Sequence, residues 1–372
     1  MADFRYQILI DEQPDAELTS DLSEIEVTES VRGETTFRIR FAIDLGDTDF
    51  ALLNDQRLIP GVDRKLTVVA SVDSVSSCLV HGVITDRKSD LKHGGDGSSL
   101  VVSGKDRRIL MGRNGDQRGP LNGTVSLIVL PILTRYNFIP DIEQGDSTIY
   151  SDLTNSLNQA HSDLELVNRL AAEQGYEFWV DAEVGPGGTV VETAHFRSSP
   201  PRNQGVTSSL QLIAPSDPKV LSMNTGTDRF SMLSFSSSRI SEIPNKSGAL
   251  SRINPDSGEL ERARVDGPSL DPLGTQAPSP DNSRPIISAG DAQVAQRRQD
   301  AALIDASWVI RAKVETSVHA LGTLVRPHDI ITVQGTGSVD DGSYFVWSVT
   351  HHIDAADHRM HLELRRNAVG AT

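Results

Sequence analysis

The stretch His161-Ser-Asp-Leu-Glu-Leu-Val-Asn-Arg-Leu-Ala-Ala-Glu-Gln-Gly-Tyr-Glu-Phe-Trp-Val180 contains a helix with both of its end signals, followed at once by an aromatic strand. Ser162 and Glu165 have the spacing of a capping box, in which the serine caps the helix and the glutamate reaches back to it. Gly175 occupies the place of a left-handed C-terminal cap. The pattern therefore predicts a helix over 163–174 that leads directly into a strand.

The apolar residues of this segment share one helical face and continue into the strand. Four of them recur at helical spacing: Leu164, Val167, Leu170 and Ala171. The strand that follows is aromatic from Tyr176 to Val180. The spacing predicts that Val167 and Leu170 pack on Phe178 and Val180 to form a compact α/β unit.

Upstream of this unit the hydrophobic period changes to two, the period of β-strands. In Thr35 to Asp44 every second residue is apolar, and Arg38 and Arg40 lie between them. Other alternating or β-branched runs occur at 22–30, 65–75, 78–86 and 100–103. Several short runs of this kind predict an antiparallel sheet that curls into a barrel or a sandwich.

A second β set follows the α/β unit and is similar to the first in size. Its runs are 190–197, 220–224, 229–236, 308–318, 330–334, 344–351 and 360–365. No short repeat is visible, but the similar size of the two β regions favours an internal duplication.

Prolines interrupt the pattern in two places. Ser237 to Gly290 is rich in Ser, Pro, Asn and Gly, which predicts an irregular, extended insertion that lies on another subunit. A helix is expected from Asp291 to Ala306, directly after it. Val125 to Tyr136 has a helical pattern, but Pro131 predicts either a kink or two separate helices.

These patterns predict a mainly β fold with an α/β insert. The 372 residues suit two or three compact units. The predicted parts are a first β-barrel at 1–110, a small α/β domain at 111–189, a second β-barrel at 190–236 and 307–372, and an extended Pro/Ser-rich insertion at 237–306 that ends in a helix.

Composition and charge exclude several classes of protein. Acidic residues outnumber basic ones by 51 to 35, a formal charge of −16, which argues against sequence-independent nucleic-acid binding and against docking on anionic membranes. No specific nucleic-acid partner is expected. The one cysteine, Cys78, allows no internal disulfide and is expected to be a small buried hydrophobe. The sequence contains no run of about 18 apolar residues, so no membrane-spanning helix is predicted. The first residues lack a signal-peptide pattern.

No motif for phosphate binding, serine hydrolysis or zinc proteolysis occurs in the sequence. Four histidines near the C-terminus raise the question of a metal site: His351, His352, His358 and His361. Adjacent strand residues point to opposite faces, so at most part of this set can converge. We therefore predict no metal, no cofactor and no catalytic residue. The tryptophans lie in predicted strands and are expected to pack in the core: Trp179, Trp308 and Trp347.

Three parts of the chain resemble one family. The stretch 161–180 is similar to the "SD-x-x-F-x-x-x-LA-x-x-x-GY-x-FWV" segment of phage late control protein D and of the hub domain of VgrG spike proteins. Ser103-Gly-Lys-Asp-Arg-Arg-Ile-Leu-Met111 resembles the family's turn out of its first barrel. The family's last strands resemble Pro327-His-Asp-Ile-Ile-Thr-Val333, Gly342-Ser-Tyr-Phe-Val-Trp-Ser-Val-Thr-His-His-Ile-Asp354 and Leu364-Arg-Arg-Asn367.

The resemblance assigns structural rather than catalytic roles to its motif residues. Those residues are Ser162, Asp163, Leu170, Gly175, Tyr176, Trp179, Pro327, Tyr344 and His351. The chain departs from the family at His328, where the family has a glycine, so this turn is expected to differ.

What the resemblance implies is the central hub of a contractile tail: a homotrimer with two tail-tube-like β-barrels per chain. Three chains would present six barrels to a hexameric inner tube and a three-fold face to a trimeric spike. The implied partners are the chain itself, a spike protein on a separate polypeptide, the inner tube protein and baseplate wedge proteins, with a tape measure or cargo protein left open. Assembly is expected in the bacterial cytoplasm, within a phage tail or a contractile injection particle.

Two other functions stay open at this point. A tail-associated hydrolase of peptidoglycan or polysaccharide would need a pair of acids in a cleft, for which Glu165, Glu173 and Glu177 are candidates. A monomeric, lectin-like binding module would need an exposed aromatic cluster, which an aromatic content of 5% disfavours. The sequence does not separate a phage from a tailocin or an injection system.

Overall fold

The structure is a computed structural model with side chains. It describes residues 4–43, 51–61, 63–72, 75–93, 97–113, 118–145, 149–151, 156–200, 219–226, 230–239, 247–253, 257–266, 272–274, 283–287, 292–368 and 370. The remaining parts of the predicted insertion, such as 240–246 and 275–282, lie outside the described residues, as does the start of the run predicted at 229–236.

The first β region follows the predicted alternation, since Phe37, Ile39 and Phe41 are buried and Arg38 is exposed. Its elements are β1 (Phe4–Ile10), β2 (Gln13–Asp15), α1 (Ala16–Ser20), β3 (Leu22–Ser30), β4 (Thr36–Ala42), α2 (Ala51–Asn54), a 3₁₀ turn (Gln56–Leu58), β5 (Lys65–Val72), β6 (Val75–Asp90), β7 (Ser99–Asp106) and α3 (Arg108–Arg113). Cys78 on β6 is buried, as predicted.

The α/β unit comes next. Its elements are β8 (Arg118–Leu121), α4 (Val125–Arg135), β9 (Ile139–Ile142), β10 (Leu157–Gln159), α5 (Asp163–Gln174), β11 (Glu177–Val184), a 3₁₀ turn (Pro186–Gly188) and β12 (Val190–Arg197). The predicted bounds of α5 are confirmed, with a capping box at Ser162 and a left-handed cap at Gly175, whose φ is 67°. Pro131 lies inside one helix, α4, so the alternative of two separate helices is wrong.

The second β region and the insertion complete the chain. Their elements are β13 (Val220–Ser222), β14 (Ser234–Arg239), β15 (Ser247–Ile253), β16 (Leu260–Asp266), β17 (Ser283–Ile287), α6 (Ala292–Ala306), β18 (Ile310–Ser317), α7 (Val318–Leu321), β19 (Ile330–Gln334), β20 (Gly342–Asp354) and β21 (His358–Arg366).

Two predicted assignments need correction. The run 190–197 was expected in the second β region, but β12 pairs with β11 and with β9 in the three-stranded sheet of the α/β unit. A two-residue hydrophobic period marks a strand without saying which sheet it joins. The insertion was expected to be irregular, yet β15, β16 and β17 form a three-stranded sheet within it.

The two β regions share one 13-stranded sheet. Its main path runs β14-β18-β21-β20-β3-β4-β7-β6-β5-β1-β2, and β19 and β13 continue from β20. The regions meet where β20 pairs antiparallel with β3, from Ser348 opposite Ser30 to Asp354 opposite Glu24. We call this pairing the seam. Because the seam joins the regions edge to edge, one hydrophobic core extends through both of them.

The two β regions repeat one strand topology. We define the first module as β1 and β3 to β7, and the second module as β13, β14 and β18 to β21. Along the chain these strands correspond in order, and each module makes the same five pairings. Four of the five are antiparallel in both modules, whereas β1 is antiparallel to β5 and β13 is parallel to β19.

An irregularity in the register supports the same correspondence. The pairing of β6 with β7 shifts between Ile84 and Asp86, and the pairing of β20 with β21 shifts between Val346 and Ser348. These are equivalent positions of equivalent strands. A bulge changes the bend and twist of a strand, so its recurrence at one place indicates a repeated module rather than two unrelated sheets.

The α/β unit has a core of its own. Val167, Leu170 and Phe178 are buried in it, and Val180 packs against it from the edge, as the helical spacing predicted. A third, smaller cluster joins Trp308, Phe345 and Trp347 to the partly buried Leu273 of the insertion.

Candidate functional site: the junctions between the modules and the α/β unit

A buried polar chain crosses the seam on its core face. His351 lies between two partners: its Nε2 is 3.1 Å from Glu29 Oε2, and its Nδ1 is 3.0 Å from His358 Nε2. Arg326 donates to Glu29 Oε1 at 2.6 Å and also to the carbonyl oxygen of Cys78 on β6. Burial lowers the pKa of His358 to about 3, which keeps this imidazole neutral. These contacts thus tie four strands, β3, β6, β20 and β21, and the turn before β19 together where the modules meet.

The other two C-terminal histidines lie on the opposite face of the same strands. His352 Nδ1 is 3.4 Å from Glu26 Oε2, and its ring meets the edge of His361 with centroids 5.0 Å apart. The four histidines therefore form two pairs on opposite faces of the strands, as the strand alternation predicted. Within the part of the chain that the structure describes, no three His, Cys, Asp or Glu side chains come together in a way that could hold a metal ion.

The first module joins the α/β unit through the motif at 103–111. Asp106 accepts from the backbone N–H of Thr35 at 2.6 Å and pairs with the buried guanidinium of Arg108 at 2.6 Å. Arg108 also donates to the carbonyl oxygen of Phe178 on β11 at 3.1 Å. A Cβ at Gly104 would overlap a backbone oxygen and the ring of Phe37 on neighbouring strands. These contacts explain the glycine, aspartate and arginine at positions 104, 106 and 108 of this chain.

The second module joins the α/β unit through Trp179. This residue is half-buried and lies outside the hydrophobic cores, so its predicted place in the core is wrong. Its indole stacks on His328 with centroids 3.8 Å apart, and on its cross-strand neighbour His195 at 4.7 Å. Its Nε1 donates to Asp181 Oδ2 at 3.1 Å. Trp308 and Trp347, in contrast, are buried as predicted.

His328 explains the departure from the family's glycine. Its φ is 73°, the left-handed region that favours glycine, so the backbone of this turn keeps a conformation that glycine adopts freely. The side chain then gains contacts that glycine could not make, with Trp179 and with Ser199, whose Oγ is 2.6 Å from His328 Nδ1. Pro327, which precedes it, is half-buried in the same turn.

His195 is held in its charged form beside Trp179. Burial disfavours its protonation, but Asp141 at 2.7 Å and Asp181 at 3.2 Å outweigh burial and raise the pKa of His195 to about 9. In His328 burial prevails and lowers the pKa to about 3. At neutral pH the indole therefore lies against one imidazolium and one neutral imidazole, which favours stacking without charge repulsion.

The C-terminal motif anchors the insertion. Arg366 is fully buried and donates to the carbonyl oxygens of Leu273 at 2.8 Å and Asp341 at 3.1 Å, and also to that of Gly370. Asn367 Oδ1 accepts from the backbone N–H of Leu273 at 2.9 Å. Leu273 of the insertion therefore docks on its own chain, and the crossing of the insertion to another subunit stays a prediction.

Tyr344 completes this anchor. Its ring is buried beneath Arg366, whose guanidinium carbon is 5.2 Å from the ring centroid. Its hydroxyl donates to the carbonyl oxygen of Asp340 at 2.8 Å. Sequence reasoning named Tyr344 but missed Arg366, although the "LRRN" ending was the signal that could have indicated it.

Asp163 is the polar centre of the α/β unit. Its buried carboxylate accepts from Arg135, from the hydroxyl of Tyr136 and from Gln159, each at 2.8 Å. Tyr176 lies in the same unit and meets the edge of Phe196, with ring centroids 5.6 Å apart. Asp163 therefore joins the end of α4 and the strand β10 to the start of α5.

The three glutamates considered for hydrolysis each have a structural partner. Glu165 completes the capping box of α5, Glu173 pairs with Arg298 at 2.8 Å, and Glu177 pairs with Arg32 at 2.9 Å. Two of these pairs join different parts of the chain, since Arg32 follows β3 and Arg298 lies on α6. Such contacts suit a scaffold that fixes rigid parts relative to each other.

The fold is that of known tail proteins. The chain is similar to a tail protein from Neisseria meningitidis, with a TM-score of 0.63 and 11% identity over 98% of this chain and 97% of that one. It is also similar to a tail protein of prophage MuSo2 from Shewanella oneidensis, with a TM-score of 0.61 and 13% identity over 99% and 100% of the two chains.

A secretion-system protein has the same fold. This Escherichia coli component of the type VI secretion system has a TM-score of 0.54 and 14% identity, over 98% of this chain and 76% of that one. No protein-family model and no curated protein matches the sequence. No helix in the described parts of the chain is long and apolar enough to cross a membrane. The chain therefore has the fold of phage tail and type VI secretion proteins.

Proposed function

We propose that this chain is the structural hub of a contractile tail baseplate, a homotrimeric adaptor between a hexameric inner tube and a trimeric spike. The observation that carries the proposal is the repeated module. One chain holds two equivalent modules side by side in a continuous sheet, so three chains around one axis hold six. A six-fold partner on one side and a three-fold partner on the other can then each meet matching surfaces.

Other observations support a structural rather than a catalytic role. The shared fold is that of tail proteins, and the buried polar residues at the junctions hold parts of the chain together. The partners that follow from the proposal are a second and third copy of the chain, a spike protein, an inner tube protein and wedge proteins of the baseplate. Assembly in the bacterial cytoplasm, within a phage tail or injection particle, belongs to the same proposal.

Native mass spectrometry over a range of micromolar concentrations tests the stoichiometry. The expected complex has three times the 40.3 kDa mass of the chain. Electron microscopy of that complex should show six similar modules around a central opening. A monomer at every concentration, or a complex of any other number of copies, would contradict the proposed hub.

A further inference from the structure

Among the residues that the structure describes, several strands of the sheet have an edge without a neighbour, and two of these edges matter here. The outer strand β14 pairs with β18 on one side only. In β6, residues up to Val83 pair with β5, whereas the part from Ile84 to Asp90 pairs with β7 on the other side and has no neighbour on the β5 side. Backbone groups on such edges are free to pair with another strand.

These two free edges are the counterparts of the two strands that form the seam. By the correspondence of the modules, β14 is equivalent to β3, and β6 is equivalent to β20. In β20, the first half pairs with β19 and the second half, on the same side, pairs with β3. The second half of β6 therefore corresponds to the half of β20 that pairs with β3, but it has no such strand beside it. The strand that corresponds to β3 is β14.

We propose that β14 of one copy pairs antiparallel with the end of β6 of a neighbouring copy, which repeats the seam between chains. The register of the seam fixes the pairs. His352 opposite Glu26 in the seam becomes Asp90 opposite Ser236, and Thr350 opposite Thr28 becomes Lys88 opposite Ser238. This inference rests on the proposed function for the number of copies, but it names the surface through which they join.

In the single chain, the residues of β20 at the seam are more buried than their counterparts at the end of β6. This difference is expected if the end of β6 lacks the neighbouring strand that β20 has. In the seam, Val349, His351 and Ile353 are all buried. Their counterparts on the first module are Arg87, which is half-buried, and Ser89 and Leu91, which are exposed.

One pair in the proposed register covers an exposed apolar side chain. Leu91 is 51% exposed, and the register places it opposite the partly buried Phe235. In the seam the equivalent pair is Ile353 opposite Ile25, and both are buried. Cross-strand apolar pairs of this kind stabilise a sheet.

The polar residues of the two edges are compatible with the same register. Three serines of β14 face the end of β6, and hydroxyl groups can donate to or accept from either charge: Ser236, Ser237 and Ser238. Arg87 lies opposite Arg239, and its guanidinium already donates to the carbonyl oxygen of Leu53 at 2.5 Å.

Disulfide trapping tests the pairing and its register. The double variant Asp90→Cys with Ser236→Cys places two cysteines opposite each other across the proposed interface. Opposite residues of antiparallel strands have Cα atoms about 4.5 to 5.5 Å apart, which suits a disulfide. Six strands of the sheet separate β6 from β14 within one chain, and a disulfide within one chain would leave the protein monomeric on a non-reducing gel. The native Cys78 does not compete, because burial raises the pKa of its thiol to about 12.

A matched control uses the same strands out of register. In the double variant Asp86→Cys with Ser234→Cys, Ser234 should face Lys92, six residues and about 20 Å along the strand from position 86. All four positions are exposed, and single-cysteine variants with unchanged melting curves show that folding is intact. The matched pair should convert most of the protein to a covalent species of three times 40.3 kDa, and the control pair should remain monomeric on a non-reducing gel.

The outcomes separate this inference from the proposed function. A trimer by native mass whose matched pair does not cross-link, or whose control pair cross-links equally, overturns the strand pairing and leaves the trimer intact. Covalent rings of a different number of copies support the pairing and overturn the three-fold hub. A monomer without cross-links overturns both.

Discussion

The indole ring of Trp179 lies nearly flat on the imidazole ring of His328, with centroids 3.8 Å apart and planes inclined by 19°. The two residues belong to different parts of the molecule, since Trp179 is on β11 of the α/β unit and His328 is in the turn before β19 of the second module. Both also contact polar groups, Asp181 for the indole and Ser199 for the imidazole. The stack therefore fixes the orientation of the α/β unit against the second module.

Replacing Trp179 tests this role. Trp179→Ala removes the stack with His328 and the hydrogen bond to Asp181, and it should lower the free energy of unfolding by about 1 to 2 kcal/mol because the ring is only half-buried. Trp179→Phe keeps an aromatic face and should lose less. Urea unfolding followed by circular dichroism measures both. An equal free energy of unfolding for the alanine variant and the native chain would show that the stack does not stabilise the fold.

The charged state of His195 predicts a loss of stability at alkaline pH. The pKa of His195 is about 9 in the folded chain, above the value of about 6.5 expected in an unfolded chain. The stabilisation is therefore complete below about pH 6.5 and is lost as the pH rises to 9. We expect a loss of about 2 to 3 kcal/mol, since partial exposure of Asp141 and Asp181 screens the interaction.

The variant His195→Gln isolates this effect from other groups that titrate in the same range. Its stability should be lower at pH 6 and should depend less on pH between 6.5 and 9 than that of the native chain. Chemical denaturation at four or five pH values gives both slopes. Identical slopes would mean that His195 does not gain a proton on folding.

The buried guanidinium of Arg366 should be one of the most sensitive positions of the second module. Arg366→Ala leaves the carbonyl oxygens of Leu273, Asp341 and Gly370 without this donor and opens a cavity above Tyr344, which should cost about 3 to 5 kcal/mol. Arg359→Ala, on the same strand but exposed, should change stability by about 0.5 kcal/mol or less. Limited proteolysis would show cleavage near Leu273 in the first variant only, and protection of that site in both would contradict the anchor.

Leu170 tests the core of the α/β unit. Leu170→Ala removes a fully buried side chain and should lower the free energy of unfolding by about 2 to 5 kcal/mol. Leu127→Ala, at a position that is 63% exposed on α4, is the matched control and should have little effect. Thermal melts of the two variants would contradict the packing described above if they coincided.

We expect no hydrolysis of peptidoglycan or polysaccharide by the purified protein. The acids considered for catalysis are engaged in a helix cap and in ion pairs with Arg298 and Arg32. The assay is release of soluble sugar or muropeptide, with Glu177→Gln as the comparison. Release by the native chain that the variant abolishes would establish an enzyme instead of a scaffold.

The local structure of the chain could be read from its sequence because it depends on short-range rules. The capping box at Ser162, the left-handed cap at Gly175 and the alternation of Phe37, Ile39 and Phe41 are all confirmed. Each depends on residues within one helix or strand, whose hydrogen bonds and burial repeat at a fixed spacing.

The contacts between distant residues could not be predicted in the same way. Sequence reasoning did not connect Trp179 with His328 or His351 with Glu29, because 149 and 322 positions separate the members of these pairs. The assignment of β12 to the wrong sheet has the same cause. A strand's hydrophobic period states that one face is covered, but not by which part of the chain.

The sequence by itself determined the capped helix at 163–174, the main alternating strands of the two β regions and the resemblance of three motifs to a tail-hub family, since all of these depend on local patterns of residue type. Only the tertiary structure decided that the two β regions are one repeated module, joined edge to edge at the seam, and that β14 and the end of β6 lack neighbours among the described residues. Strand pairing is made by backbone groups that every residue carries, so side-chain patterns alone do not specify which edges meet.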